Sequence, residues 1–368
     1  MDFENRIYSL REILEEDSID GILIENVTDI YYLTGIQVSV GKLIIHNKGA
    51  HFIVDGRYYE AIKDETKFLE VVLAEPDLLT GLLLEELAHI KSLAFCSEKT
   101  TYQRYTELQE VVDKVLKEDA SRELEILPAD DFVLQLRSIK SPEEIKRLSA
   151  AAALGSKGYD YVVDLLSEGI TELEVARELD IFWKKHGSEG LAFDPIVAFG
   201  PNSAKPHHHP DNTKLQKGMP VLIDIGVKLS HYNSDMTRVV FFGEPESKMQ
   251  EIYEIVKQAQ EAALKLCKPG TRMGDLDMEA RMWITDRGYG KEFSHGLGHG
   301  VGLEVHELPV IRSASKYDAV VLQPGMVITV EPGIYLGGLG GVRIEDAIVI
   351  TEEGHSNLTN RPKELKVI

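Results

Sequence analysis

A chain of 368 residues with 40 Lys and Arg against 61 Asp and Glu, a formal net charge of −21, is a poor partner for a phosphate backbone, whose binding rests on clustered cations. Its 43% hydrophobic and 27% charged content is that of a globular protein, and no apolar run approaches the roughly 20 residues of a membrane span. The length exceeds what one core usually supports, so two domains are expected. The two cysteines, Cys96 and Cys267, stand in no CxxC pattern and suggest neither a disulfide framework nor a thiolate site, so that any metal must be held by oxygen and imidazole.

The opening stretch, MDFENRIYSLREILEEDSID, alternates acidic and apolar residues like a surface helix. It lacks the basic and apolar regions of a secretory signal, and a cytoplasmic location is expected. Short β-rich runs then alternate with amphipathic stretches: strands are expected at 21–25, 42–46 and 50–55, and helices at 57–65 and 101–117. That alternation implies an α/β layer. Composition shifts near 128–145, where SPEE (141–144) has the form of a helix start, with Ser141 as N-cap, Pro142 in the first turn and Glu144 three residues on. The boundary is placed there, giving domains 1–133 and 134–368. Helices are then expected at 142–166, at 171–187 with Thr171 capping against Glu174, and at 247–267 and 274–287. The segments PVLIDIGVKL, HYNSDMTRVVFF, GMVITVEPGIY and GVRIEDAIVI read as strands.

In VLIDIG, regular alternation puts Val221, Ile223, Ile225 and Val227 on one face and Asp224 on the other. A hairpin turning at Leu229–Ser230 places Asp235 directly opposite Asp224, roughly 4.5–5.5 Å away between Cβ atoms. Carboxylates that close repel unless a proton or cation lies between them, and a shared divalent metal is the economical answer. Glu331 and Glu345 flank the glycine-rich turn GGLGG (337–341) in the same manner. Pro332 should stop the strand after Glu331, and Arg343 should share the face of Glu345; from the residues alone Asp346 stays a rival for Glu345. SHGLGHGVGLEVHE (294–307) fits neither a zincin helix, since Pro309 and Val310 follow, nor a nucleotide loop. It reads as an extended segment with His295 and His299 on one face, where one imidazole serves as metal ligand and its neighbours as acid–base groups or donors. FGPNSAKPHHHP (199–210), with His207, His208 and His209, is a solvated loop unless it folds towards the carboxylates.

Together, DIG with Asp224, SDMTR with Asp235, HGLGHGVGLEVHE with His299, TVEPGIY with Glu331 and GVRIED with Glu345 resemble, in order, the motifs of the pita-bread metallopeptidases, and within them the Xaa-Pro branch of prolidase and aminopeptidase P. NVTDIYYLTG (26–35) and VDGRYYEAI (54–62) resemble the creatinase/prolidase N-terminal domain, with Asp29 where that family usually has Asn. The resemblance implies an α/β (α+β) protein: an N-terminal creatinase-like domain, then a pita-bread domain with a curved, mainly antiparallel sheet flanked by helices. It assigns Asp224, Asp235 and Glu345 to one metal and Asp235, His299, Glu331 and Glu345 to a second, which selects Glu345 over Asp346. Four carboxylates and one imidazole favour Mn²⁺, with Co²⁺ or Zn²⁺ possible. The implied reaction is hydrolysis of an Xaa-Pro bond in a proline-containing di- or oligopeptide by a hydroxide shared by the two ions. Glu331 would shuttle the proton, His295 and His306 would meet the oxyanion, His207 would close over the substrate, and Arg343 would support Glu345. Arg312 is a candidate to hold the free carboxylate of a dipeptide. A homodimer is expected by analogy. A pita-bread protein without activity, used as a binding module, is the reading from another class, and it would not need the complete ligand set.

Overall fold

The β-rich runs of the first third pair into one six-stranded sheet. The computed structural model describes residues 1–368 and divides into two compact units, Met1–Arg137 and Ser138–Ile368. The first contains α1 (Phe3–Glu16), β1 (Gly21–Ile24), α2 (Val27–Thr34), β2 (Lys42–His46), β3 (Gly49–Val54), α3 (Gly56–Ile62), β4 (Glu70–Leu73), α4 (Leu78–Leu84), β5 (Ser92–Cys96), α5 (Tyr102–Glu118) and β6 (Glu125–Ala129), and α6 (Phe132–Ser138) crosses the boundary. Strands run in the order β4-β3-β2-β1-β5-β6, antiparallel from β1 through β3 and parallel at both ends. The elements expected from periodicity are present, the helix at 57–65 ending early at Ile62. Three strands were not expected: β5 because a strand buried on both faces need not alternate, and the edge strands β4 and β6 because they are short and partly exposed, β6 being also interrupted by Pro128. Leu23, Ile44 and Ile53 of the sheet pack under Leu79, Leu83, Leu108 and Val112 of α4 and α5.

The second unit continues with α7 (Pro142–Leu165), α8 (Glu172–Lys185), β7 (Gly190–Leu191), β8 (Ile196–Phe199), β9 (Met219–Ile225), β10 (Val227–Leu229), β11 (Tyr232–Asn233), β12 (Met236–Phe242), α9 (Ser247–Leu266) and α10 (Met273–Thr285). It ends with β13 (Gly298–Gly300), β14 (Glu307–Ile311), β15 (Val327–Val330), β16 (Gly333–Leu336), β17 (Gly340–Arg343), β18 (Asp346–Ile350), β19 (His355–Asn357) and β20 (Lys366–Val367). Both expected capping boxes form, Ser141 with Glu144 and Thr171 with Glu174, which fixes where α7 and α8 begin. Except for the parallel pair β12–β20, the strands are antiparallel, in sheets ordered β20-β12-β9-β8 and β14-β13-β15-β18-β19 with smaller ribbons β11-β10-β7 and β16-β17. The alternation along β9 is borne out. Val221, Ile223 and Ile225 face the α7–α8 layer with Leu179 and Trp183, whereas Leu222 faces the α9–α10 layer with Met249 and Val256. Asp224 therefore emerges on the side of Leu222, towards the second sheet.

Candidate metal centre

Two hairpins and one glycine-rich strand carry the acidic and imidazole groups to one place. The first turn lies one residue later than expected, at Ser230–His231, where both residues have positive φ, 50° and 69°, the geometry of a two-residue I′ turn. The register follows from it: Leu229 pairs with Tyr232, and Asp224 pairs with Thr237. The expectation that Asp224 and Asp235 face each other directly is thus corrected. A one-residue move of the turn shifts each partner by two positions, so Asp235 keeps the face but lies diagonal to Asp224. Gly226 makes the crossing possible, since a Cβ there would meet the Ser234 carbonyl oxygen at 2.3 Å and the Phe193 ring at 2.5 Å.

In the second hairpin, Val330 pairs with Asp346 and Gly333 with Arg343, one continuous register that leaves Glu331 and Glu345 opposite each other in the gap between the two ladders. The gap exists because Pro332 has no N–H to give. Asp346, the rival of Glu345, points to the other side, where it accepts from Arg238 at 2.6 Å and Lys363 at 2.9 Å. Beside the second hairpin, between β14 and β15, runs β13, whose glycines let it pass close: a Cβ at Gly298 would meet the Thr329 carbonyl oxygen at 2.1 Å.

His299 Nδ1 lies 3.0 Å from the Gly300 carbonyl oxygen, an atom that can only accept, so Nδ1 carries a hydrogen and Nε2 is the nitrogen turned to the carboxylates. That Nε2 lies 3.3 Å from Glu331 Oε1 and 3.7 Å from Asp235 Oδ2. Asp235, His299 and Glu345 each offer a ligand atom, all within 4.8 Å of one another. Arg343 departs from its expected place beside Glu345. Its Nη2 binds Asp224 Oδ2 at 2.5 Å and its Nε donates to Thr237 Oγ1, which in turn donates to Glu345 Oε2 at 2.7 Å. The arginine thus clamps Asp224 and reaches Glu345 only through a threonine.

Charge in this cluster does not balance. Burial, then the neighbouring carboxylate Asp224, hold Asp235 well above the usual carboxylate range; burial, then Asp235, do the same to Glu345. Burial also raises Asp224 against the pull of Arg343. Burial pushes Glu331 up as well, but the hydrogen bond and charge of His299 prevail and leave it below the usual range. His299, which burial would lower, is carried to about 9 by Glu331 and Asp235. Four carboxylates thus face one arginine and one imidazole, and Asp224 Oδ1 is buried without a hydrogen-bond partner. An orphaned carboxylate oxygen, an imidazole nitrogen turned to the carboxylates and an excess of buried anion are what divalent cations satisfy, so the donor set fits a pair of hard or borderline ions. Both thiols lie outside it.

The cluster lines a cavity of about 490 Å³, a volume that suits a small peptide. His207, His295, His306, Arg312 and Phe193 form its other walls. His295 has both ring nitrogens engaged: Nδ1 donates to the Gly296 carbonyl oxygen at 2.8 Å, and Nε2 accepts from Tyr335 Oη at 2.9 Å. His306 tilts against His299 with ring centroids 4.2 Å apart, and desolvation, then the charge of His299, lower its pKa. Arg312 is exposed on the wall and pairs with no carboxylate of the chain.

The sequence reading overlooked Thr237, Tyr335, Phe193 and Glu172. Glu172, fully buried, is the unexpected one: it accepts from the Phe199 and Asp211 N–H groups and Asn202 Nδ2, and its Oε2 lies 2.7 Å from His208 Nε2. This one carboxylate holds the His207–His209 loop over the cavity. In sequence it is merely the first residue of a helix, and only its distant partners reveal the role.

The metallopeptidase family M24 model matches residues 146–352, and that of the creatinase/prolidase N-terminal domain matches residues 6–139. An Xaa-Pro dipeptidase of Pyrococcus horikoshii is 39% identical over 367 residues, 99% of this chain and 100% of its own length. Among solved structures, an Xaa-Pro dipeptidase from Bacillus anthracis aligns over 100% of both chains with 36% identity and a TM-score of 0.92. An X-Pro aminopeptidase from Thermotoga maritima aligns with 34% identity and a TM-score of 0.83, over 95% of this chain and 98% of its own.

Proposed function

The chain belongs to metallopeptidase family M24, and from that premise we propose that it is a peptidase acting on Xaa-Pro dipeptides. The observation that carries the reading is the surplus of buried carboxylate on the wall of a peptide-sized cavity. Asp224, Asp235 and Glu345 would hold one divalent ion and Asp235, His299, Glu331 and Glu345 a second, with Mn²⁺ the first choice for such ligands. Bound there, the ions would polarise the scissile carbonyl and lower the pKa of water towards neutrality.

The chain's own groups do the rest. Glu331, which His299 keeps ionised, takes the proton of the attacking water and returns it to the departing proline nitrogen. His306 is neutral and reaches the cavity, so it supplies the donor for the tetrahedral oxyanion, a contact worth roughly 2.7–4 kcal/mol where such a donor has been removed. His295 has no free N–H in this arrangement and instead fixes Tyr335, so the oxyanion role first read for both histidines narrows to His306. Arg343 orients Asp224, and His207 covers the substrate from its loop. A proline nitrogen in a peptide bond bears no hydrogen, so a substrate of this kind is selected by the shape of the walls, including Phe193.

Dipeptides are favoured over longer chains because the unpaired Arg312 guanidinium on the wall can take the free proline carboxylate. Incubating Mn²⁺-loaded protein with Ala-Pro and with Ala-Pro-Pro tests this. Ala-Pro should turn over faster, and Arg312→Gln should lower kcat/KM for Ala-Pro about tenfold, a loss of about 1.4 kcal/mol, while changing Ala-Pro-Pro little. Equal or faster cleavage of the tripeptide, insensitive to Arg312→Gln, would assign the protein to the aminopeptidase reading instead.

A further inference from the structure

The first unit holds a second group of metal-ligating side chains that the peptidase reading leaves unused. On one face of its sheet, His46 of β2 and His51 of β3 are diagonal neighbours, because Ile44 pairs with His51 and His46 with Gly49. Their rings stack with centroids 5.3 Å apart and an interplanar angle of 26°. His51 Nε2 points at two carboxylates from two further elements: Glu86 Oε2 at 3.1 Å, in the turn after α4, and Glu70 Oε2 at 3.5 Å, on the edge strand β4. His46 Nδ1 lies 3.1 Å from His89 Nε2, extending the column of imidazoles.

The surroundings of His51 Nε2 suit a cation. His51 is 6% exposed, and its Nε2, not its unpartnered Nδ1, is the ring nitrogen that faces the carboxylates. Glu70 and Glu86 are meanwhile brought to one imidazole nitrogen although like charges repel, and all three ligand atoms lie within 4.8 Å of one another. A tetrahedral zinc ion with ligands at about 2.0–2.1 Å spaces them about 3.3 Å apart, between the two histidine–carboxylate distances found.

The geometry points to a zinc-type divalent cation site formed by His51, Glu70 and Glu86, with a fourth position open to solvent. Both glutamate side chains are more than half exposed, at 62% and 53%, so an ion has a path in and water completes the coordination. The stacked His46 lies behind the ligating ring, where it steadies the orientation of His51. Such an ion joins β3, the edge strand β4 and the turn after α4, and so stabilises the sheet edge by mass action. It takes no part in peptide hydrolysis.

The test counts zinc in the full-length chain carrying Asp235→Asn and Glu345→Gln, which cripples the centre of the second unit. After dialysis against Zn²⁺, adding Glu70→Gln and Glu86→Gln to that background should remove about one zinc per chain and abolish the zinc-dependent rise in thermal midpoint of the first unit. Because both glutamates are exposed, these variants fold, and His51→Gln should reproduce the loss. With the second unit intact and Mn²⁺-loaded, the same substitutions should leave peptidase turnover unchanged. No zinc retained in the background, or an unchanged count after Glu70→Gln and Glu86→Gln, overturns the site and leaves a histidine that merely hydrogen-bonds Glu86.

Discussion

Each unit buries a knot of ionised side chains, and the two knots differ in how their charges sum. In the first, Asp29 is 2% exposed and meets Arg137 Nη1 at 2.8 Å and Lys99 Nζ at 2.5 Å, while Lys99 also meets Asp131 at 2.7 Å. Two anions face two cations. In the second, Asp224, Asp235, Glu331 and Glu345 face Arg343 and His299 alone, and two of the carboxyls are driven far above their usual range. A neutral knot balances its own charges and is costly only to break; an acidic one is costly to bury and fits a cationic occupant. The contrast also accounts for Asp29 standing where the creatinase-type domain usually carries Asn: Lys99 and Arg137 together accommodate the added charge.

Substitutions in the two knots should therefore have opposite signatures. The largest effect is expected for Asp235→Asn, which should abolish retention of divalent metal and reduce Xaa-Pro hydrolysis by more than about 10³-fold. The same change should raise the thermal midpoint of the metal-free protein, because it removes one of the repelling carboxylates; full activity after dialysis against a chelator would sink the dinuclear reading. Arg137→Met in the neutral knot should instead cost about 3–5 kcal/mol in urea unfolding, by stranding Asp29, with metal content unchanged. If Arg137→Met left stability intact, the claim that this knot is structural would fail. The smallest effect is expected for Glu172→Gln, which should lower kcat/KM about tenfold, a typical size for losing a supporting contact, chiefly through KM because the His207–His209 loop is loosened. A kcat-only loss, or loss of metal, would show that Glu172 acts elsewhere than through that loop.

Much of the second unit was legible because its signals are local. Ser141 with Glu144 and Thr171 with Glu174 announce helix starts within four residues, and the alternation of Val221, Ile223 and Ile225 against Asp224 separates the two faces of β9. The Glu331–Glu345 pairing was also readable, since Pro332 and the 337–341 turn mark both the break and the midpoint of the hairpin. The Asp224–Asp235 register was not. Its turn needed two adjacent residues at positive φ, and Ser230–His231 carries neither glycine nor asparagine to reveal them. Likewise, one expected donor, His295, turned out to be engaged, because Tyr335 arrives from a hairpin 40 residues away.

By itself, then, the sequence determined which residue types could gather, on which faces, and in what order along the chain: periodicity and capping act over a few residues and do not depend on the rest of the fold. The tertiary structure decided who touches whom. That Arg343 clamps Asp224 across 119 residues, that Glu172 holds a loop 36 residues on, and that His51 meets Glu86 are consequences of sheet register and layer packing. Those depend on every strand at once, since a shift of one residue in a single turn changes which side chains meet.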